Sequence, residues 1–187
     1  MNAINLLTDA VVSHALGAAL SVLLLVGACS KLRDLGLFRA NLENYQLLPE
    51  GLVAPAAVGL ALWELAAGLA VLLAPVAPLT LLAAGALLLL VTGAVAINLL
   101  RGRTHIDCGC AGLSGHSGEQ QLSWALVVRN ALLLAALVIA TSTHAERTLV
   151  WVDYLSVAGA TLALLGLYVA AGQLLVNHPR LLAIKRS

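Results

Sequence analysis

Charge is what this sequence has least of. Only 10% of its 187 residues are Asp, Glu, Lys or Arg, against 61% apolar, whereas a soluble domain carries roughly 25% charge to keep its surface wet. A water-soluble globule is thereby excluded. The few charges nearly cancel to a net +1, which points away from nucleic acid and from strongly acidic partners. Cysteine is scarce too. Three of them are too few for a secreted disulfide scaffold, and an odd number leaves at least one unpaired or differently employed. Lys and Arg are absent from residues 1–30, so the positive leading region of a cleaved export signal is missing. The first apolar run is therefore expected to stay as a membrane span, although Val26-Gly27-Ala28-Cys29 looks like a lipoprotein cleavage box. No internal repeat is visible.

What is present is long apolar runs. Five can be drawn, at about 9–30, 52–74, 78–100, 122–143 and 150–176, each near the ~20 residues a bilayer core demands. Hydrocarbon offers backbone groups no partners, and there is little period-2 alternation to suggest a barrel, so each run is expected to be a helix. The fold class is an all-α integral membrane protein, residues 1–187 forming one transmembrane domain of about five helices. A four-helix core results if the first or fifth run lies flat. Pro75 and Pro78 stop the second helix and open the third. Gly17-Ala18-Ala19 and Gly159-Ala160 allow close helix approach.

Orientation follows from the basic residues. Lys31, Arg33, Arg39, Arg101, Arg103, Arg180, Lys185 and Arg186 fall on one side and only Arg147 on the other, with Arg129 inside the fourth run. Eight against one places the N-terminus outside (periplasmic), the C-terminus in the cytoplasm and the loop after the third run at the cytoplasmic face.

That loop holds the chemistry. It reads Arg101-Gly-Arg-Thr-His105-Ile-Asp107-Cys108-Gly109-Cys110-Ala-Gly-Leu-Ser-Gly-His116. Cysteines flanking a single glycine can close a small disulfide ring, and a strained or exposed ring is the exchangeable kind. Arg101, Arg103 and any protonated His favour the thiolate, while Asp107 opposes it. Thiol–disulfide exchange at Cys108 and Cys110 is one reading. A zinc or copper site built from His105, Cys108, Cys110 and His116 is a second, and two reduced structural cysteines are a third. Cys29 reads either as packing material or as a further redox partner.

Polar residues inside the spans form a second group of candidates. Glu64 sits near the middle of the second run, where a charge costs at least ~2.5–3.5 kcal/mol. Arg129, next to Asn130, is its expected partner. At about 1.5 Å per residue, the two lie about 18 Å and 10 Å from the inner face, an offset an Arg side chain nearly bridges. The pair either ties the bundle together or forms a polar pocket for a quinone headgroup or a proton. His14 is expected to pack between helices. Trp151, Asp153 and Tyr154 fit an outer interfacial belt, and Glu146 and Arg147 a solvated loop.

The succession Lys31-Leu32-Arg33-Asp34, Phe38, Tyr45 to Pro49, Glu64, Asp107-Cys108-Gly109-Cys110, Ser123-Trp124 and Arg129-Asn130 resembles the MauE family of methylamine-utilisation membrane proteins. DoxX-like redox-associated membrane proteins look similar but share less of the pattern. The resemblance implies a bacterial inner-membrane protein that works with a thioredoxin-like partner of the MauD type. Its task would be disulfide formation and maturation of the methylamine dehydrogenase small subunit. Cys108 and Cys110 match the family's cysteine pair; Glu64 and Arg129 match its intramembrane polar positions. A tension follows. The small subunit is periplasmic, whereas the charge count puts the cysteine pair inside. Either the charge rule misleads, or the protein carries reducing equivalents across the bilayer. A non-enzymatic assembly or export factor and a metal carrier are the competing classes.

Overall fold

The computed structural model describes residues 9–74, 77–104, 106, 122–141 and 150–184. These form six helices: α1 (Ala10–Arg33), α2 (Leu35–Tyr45), α3 (Glu50–Leu73), α4 (Pro78–Leu100), α5 (Trp124–Thr141) and α6 (Trp151–Ile184). All but α2 are long and apolar enough to cross a membrane, and the described residues include no strand. The chain is an all-α, multi-pass membrane protein.

Each boundary has a local cause. Asp9 caps α1, its carboxylate accepting from Val11 N at 2.8 Å. Asp34 breaks the chain between α1 and α2 with φ −134° and ψ 71°. Its side chain accepts from Leu37 N at 2.9 Å and so starts α2. Gln46 ends α2 in the left-handed region at φ 48°, and Pro49 then precedes α3. Pro78 is the first residue of α4, where its missing N–H costs nothing. Gly102, at φ 73°, ends α4 and donates to the Leu99 carbonyl at 3.0 Å. Asp153 accepts from Val150 N at 2.9 Å to start α6, with Trp151 and Tyr154 exposed beside it.

The core lies between α1, α3, α4 and α5. Leu20 and Leu24 of α1 meet Ala67 and Val71 of α3, Ala84, Leu87 and Leu88 of α4, and Leu137 of α5. Small residues set how closely α1 and α3 approach. Ser21 Oγ donates to the Gly68 carbonyl at 2.9 Å, fully buried, and Ala28 and Ala61 are both 0% exposed. Without a hydrophobic drive between helices in lipid, such close backbone packing holds a bundle together.

Helix α6 is peripheral. It packs mainly on α1, and only 6% of its apolar stretch is buried, against 44% for α1. The first span is thus the centre of the bundle, and the fifth is an addition to a four-helix core. At about 1.5 Å per residue its 34 residues span about 51 Å, well past the expected end at 176. Lipid-facing leucines such as Leu73, Leu79, Leu100 and Leu162 are 70–79% exposed, a surface that only hydrocarbon accommodates.

Helix α2 is the main departure from the expected organisation. The stretch between the first two spans reads as a connection, yet it forms three turns across one end of the bundle.

Candidate functional site

Glu64 projects from α3 toward α1 at the level of Gly27. There is room for it only because Gly27 has no side chain: a Cβ at that position would stand 2.6 Å from Glu64 Oε1. Lys31, one turn further along α1, reaches back to the same level, since helical side chains lean toward the N-terminus. Its ammonium donates to Glu64 Oε2 at 2.5 Å. The two side chains are 13% and 14% exposed, so this is a largely buried ion pair. That ion pair joins Glu64 to a residue 33 positions earlier in the chain, and Arg129, the partner expected from sequence, lines the same cavity.

The pair lines a cavity of about 550 Å³ whose walls also include Arg129, Asn130 and Tyr168. Arg129 lies over the Tyr168 ring at 5.4 Å from its centroid, which ties α5 to α6. Asn130 is buried. Glu64 and Arg129, the two polar residues singled out in the spans, therefore face one chamber. Its remaining walls are mostly aliphatic, from Leu24, Leu60, Leu87 and Leu133 among others.

Helix α2 roofs this chamber. Phe38, Asn41, Leu42 and Tyr45 line it, at the i, i+3, i+4, i+7 spacing that puts residues on one helical face. Asp34 and Arg39 on its other faces are exposed, Arg39 pairing with Glu43 at 3.0 Å. The Lys31 ammonium also lies 5.5 Å from the Phe38 ring centroid, a favourable cation–π distance. Tyr45 packs at the same time against Val95 and Leu99 of α4 and against Leu122 and Leu126. These residues flank the 107–121 loop, whose ends meet where Leu122 N donates to the Ile106 carbonyl at 3.1 Å.

Cys108 and Cys110, with His105, Asp107 and His116, lie outside the described residues, as do Glu146, Arg147, Lys185 and Arg186. The described neighbours of the loop, Ile106 and Leu122, belong to the cluster that supports the cavity roof. Among the described residues no three His, Cys, Asp or Glu side chains gather as a metal site. Cys29 is a free thiol on the exposed face of α1. His14 is not the packing residue expected: it is exposed and bonds the Ala10 carbonyl of its own helix at 2.7 Å.

Sequence reasoning missed Lys31 as a site residue, because it counted as an orientation charge and as part of the family pattern, with no role of its own. It also missed the roof, although Leu35, Phe38, Leu42 and Tyr45 already carry a helical period. Several of the residues behind the family resemblance converge here. Lys31, Phe38, Tyr45, Glu64, Arg129 and Asn130 all line the cavity.

No solved structure matches the chain. A family model described as methylamine utilisation protein MauE matches residues 9–143, which include α1 to α5 and stop short of α6. Curated relatives agree. The methylamine utilization protein MauE of Paracoccus denitrificans is 39% identical over 139 residues, covering 74% of this chain and 73% of its own. That of Methylorubrum extorquens is 43% identical over 132 residues, covering 70% and 69%. That of Paracoccus versutus is 36% identical over 188 residues and covers 97% and 98%. A match over α1 to α5, shared with relatives across most of both chains, means that this protein belongs to the MauE family of methylamine utilisation proteins.

Proposed function

We propose that this protein is an inner-membrane thiol–disulfide component of methylamine utilisation, with Cys108 and Cys110 as its exchanging pair. The observation that carries this reading is the Asp107-Cys108-Gly109-Cys110 sequence in the α4–α5 connection. In such an exchange a partner's thiolate attacks one sulfur of the Cys108–Cys110 disulfide. A mixed disulfide forms and the other cysteine leaves as thiolate; a second thiol of the partner then resolves the mixed disulfide. The partner departs oxidised and Cys108 and Cys110 are left reduced. The reverse sequence reduces the partner. A thioredoxin-like protein of the MauD type is the partner this chemistry fits, and the methylamine dehydrogenase small subunit is the client whose disulfides would be made.

Lys31, Arg33, Arg39, Arg101 and Arg103 all belong to the end of the bundle that carries the roof and the 107–121 loop. This supports a cytoplasmic position for that end, with the N-terminus periplasmic, in which case reducing equivalents cross the bilayer between the cysteine pair and the periplasmic small subunit. Glu64 and Arg129, in the cavity beneath the roof, are proposed to serve the exchange by binding its redox partner or by moving protons.

The test is a Cys108→Ser/Cys110→Ser variant in a host that depends on this protein for growth on methylamine. Growth should fail, and the dehydrogenase small subunit should accumulate with free thiols, read by alkylation and mass shift. Wild-type growth with a fully oxidised subunit overturns the reading in favour of a non-enzymatic assembly factor.

A further inference from the structure

We infer that the roofed cavity is a binding site for the ring of a lipid-borne quinone, a flat ring with two oxygens on an isoprenoid tail. Three observations carry this, beginning with the route of entry. The α2 roof closes the chamber on the membrane-face side, whereas its wall includes Leu48, Leu89, Leu90 and Ile97, which are 36% or more exposed on the bundle's outer surface. A ligand therefore arrives sideways from the hydrocarbon, which selects for a lipid-soluble molecule. Size comes next. About 550 Å³ lies within the roughly 300–1,000 Å³ of ordinary small-molecule pockets, enough for a ring and the start of a tail and too small for a two-chain phospholipid.

The polar groups decide the chemical class. Lys31 and Arg129 bring only donors to the chamber, and Glu64 brings only acceptor oxygens while ionised. A quinone uses both kinds, because its oxygens accept hydrogen bonds as carbonyls and donate them as hydroxyls once reduced. An ionised fatty acid uses donors alone and has no proton to give the Glu64 oxygens. Partial desolvation of the Lys31–Glu64 pair strengthens each of these interactions.

The inference deepens the proposed thiol chemistry and rests on that reading for its purpose. Closing a dithiol to a disulfide releases two electrons and two protons, and reducing a quinone to its quinol consumes both. Its binding test, however, is independent of the cysteines.

The full-length protein in nanodiscs should bind a short-tailed ubiquinone analogue saturably, one per chain, by equilibrium titration. Ala56→Trp fills the cavity wall, and Glu64→Leu with Arg129→Met removes polar partners. Each should weaken binding about tenfold or more, the scale of a lost hydrogen bond to a charged group. Leu60→Trp is a second block should Ala56→Trp fail to fold, with melting and gel filtration as the fold check. Cys108→Ser/Cys110→Ser should bind as the wild type does, so a failed thiol reading leaves this result standing. Unsaturable partitioning, binding indifferent to a folded blocking variant, or saturable binding of oleate in place of the quinone each overturns the inference.

Discussion

The Glu64 carboxylate lies against the bare backbone of Gly27, with Oε1 2.6 Å from where a methyl group would stand. That contact lets a charged side chain on α3 enter the interface with α1 and meet Lys31. It also explains why glycine is needed near the C-terminal end of α1.

Gly27→Ala and Gly68→Ala should therefore separate two kinds of damage. At Gly27 the methyl meets the far end of a flexible side chain, so the fold should survive while the carboxylate moves off Lys31. At Gly68 it meets Leu25 and Leu24 at 3.0–3.2 Å, inside the α1–α3 core, where overpacking costs about 1–3 kcal/mol. Thermal unfolding in detergent should show a clear drop for Gly68→Ala and a smaller one for Gly27→Ala. Equal melting temperatures for both would contradict this geometry.

The Lys31–Glu64 pair makes a second prediction. Removing one partner of a fully buried pair costs about 3–5 kcal/mol, since the other charge is stranded; at 13–14% exposure the cost should fall somewhat below that. Lys31→Met and Glu64→Gln should each destabilise more than half as much as the double variant does. A double-mutant cycle measures the difference. Strict additivity would mean that the pair contributes nothing beyond its separate members.

Helix α6 gives a third. It packs mainly on α1 and buries little of its apolar stretch, and it lies outside the matched family segment. Truncation after residue 149 should leave α1 to α5 inserted and protease-resistant, with a modest loss of stability and of the Arg129–Tyr168 contact. Collapse to an aggregate on gel filtration would show instead that α6 is needed to complete the bundle.

The spans were legible because the bilayer imposes a length and a composition that can be read one residue at a time. The expected runs at 52–74 and 78–100 became Glu50–Leu73 and Pro78–Leu100, with Pro49 and Pro78 marking both starts. Helix α2 was missed because hydropathy windows of membrane length average over eleven residues with a mixed face. Its boundary signals, Asp34 at the start and Gln46 at the end, act through a side-chain cap and a left-handed backbone that composition does not display.

Glu64 stood out from the sequence because a lone charge in an apolar run is costly wherever the helix packs. Lys31 as an ion-pair partner did not. Lys31 and Arg129 both lie on spans that can face α3, and depth along the membrane does not tell which helix sits beside which. Burial cost depends on the residue and its surroundings in lipid, so the sequence by itself determined the all-helical class, the number of spans, the family and the positions where polarity needs explanation. Pairing depends on the rotation and neighbour of each helix. Only the tertiary structure decided that α1 is central, that Gly27 admits Glu64 to Lys31, and that α2 folds over them to enclose a chamber, because those outcomes are set by close packing between segments distant in the chain.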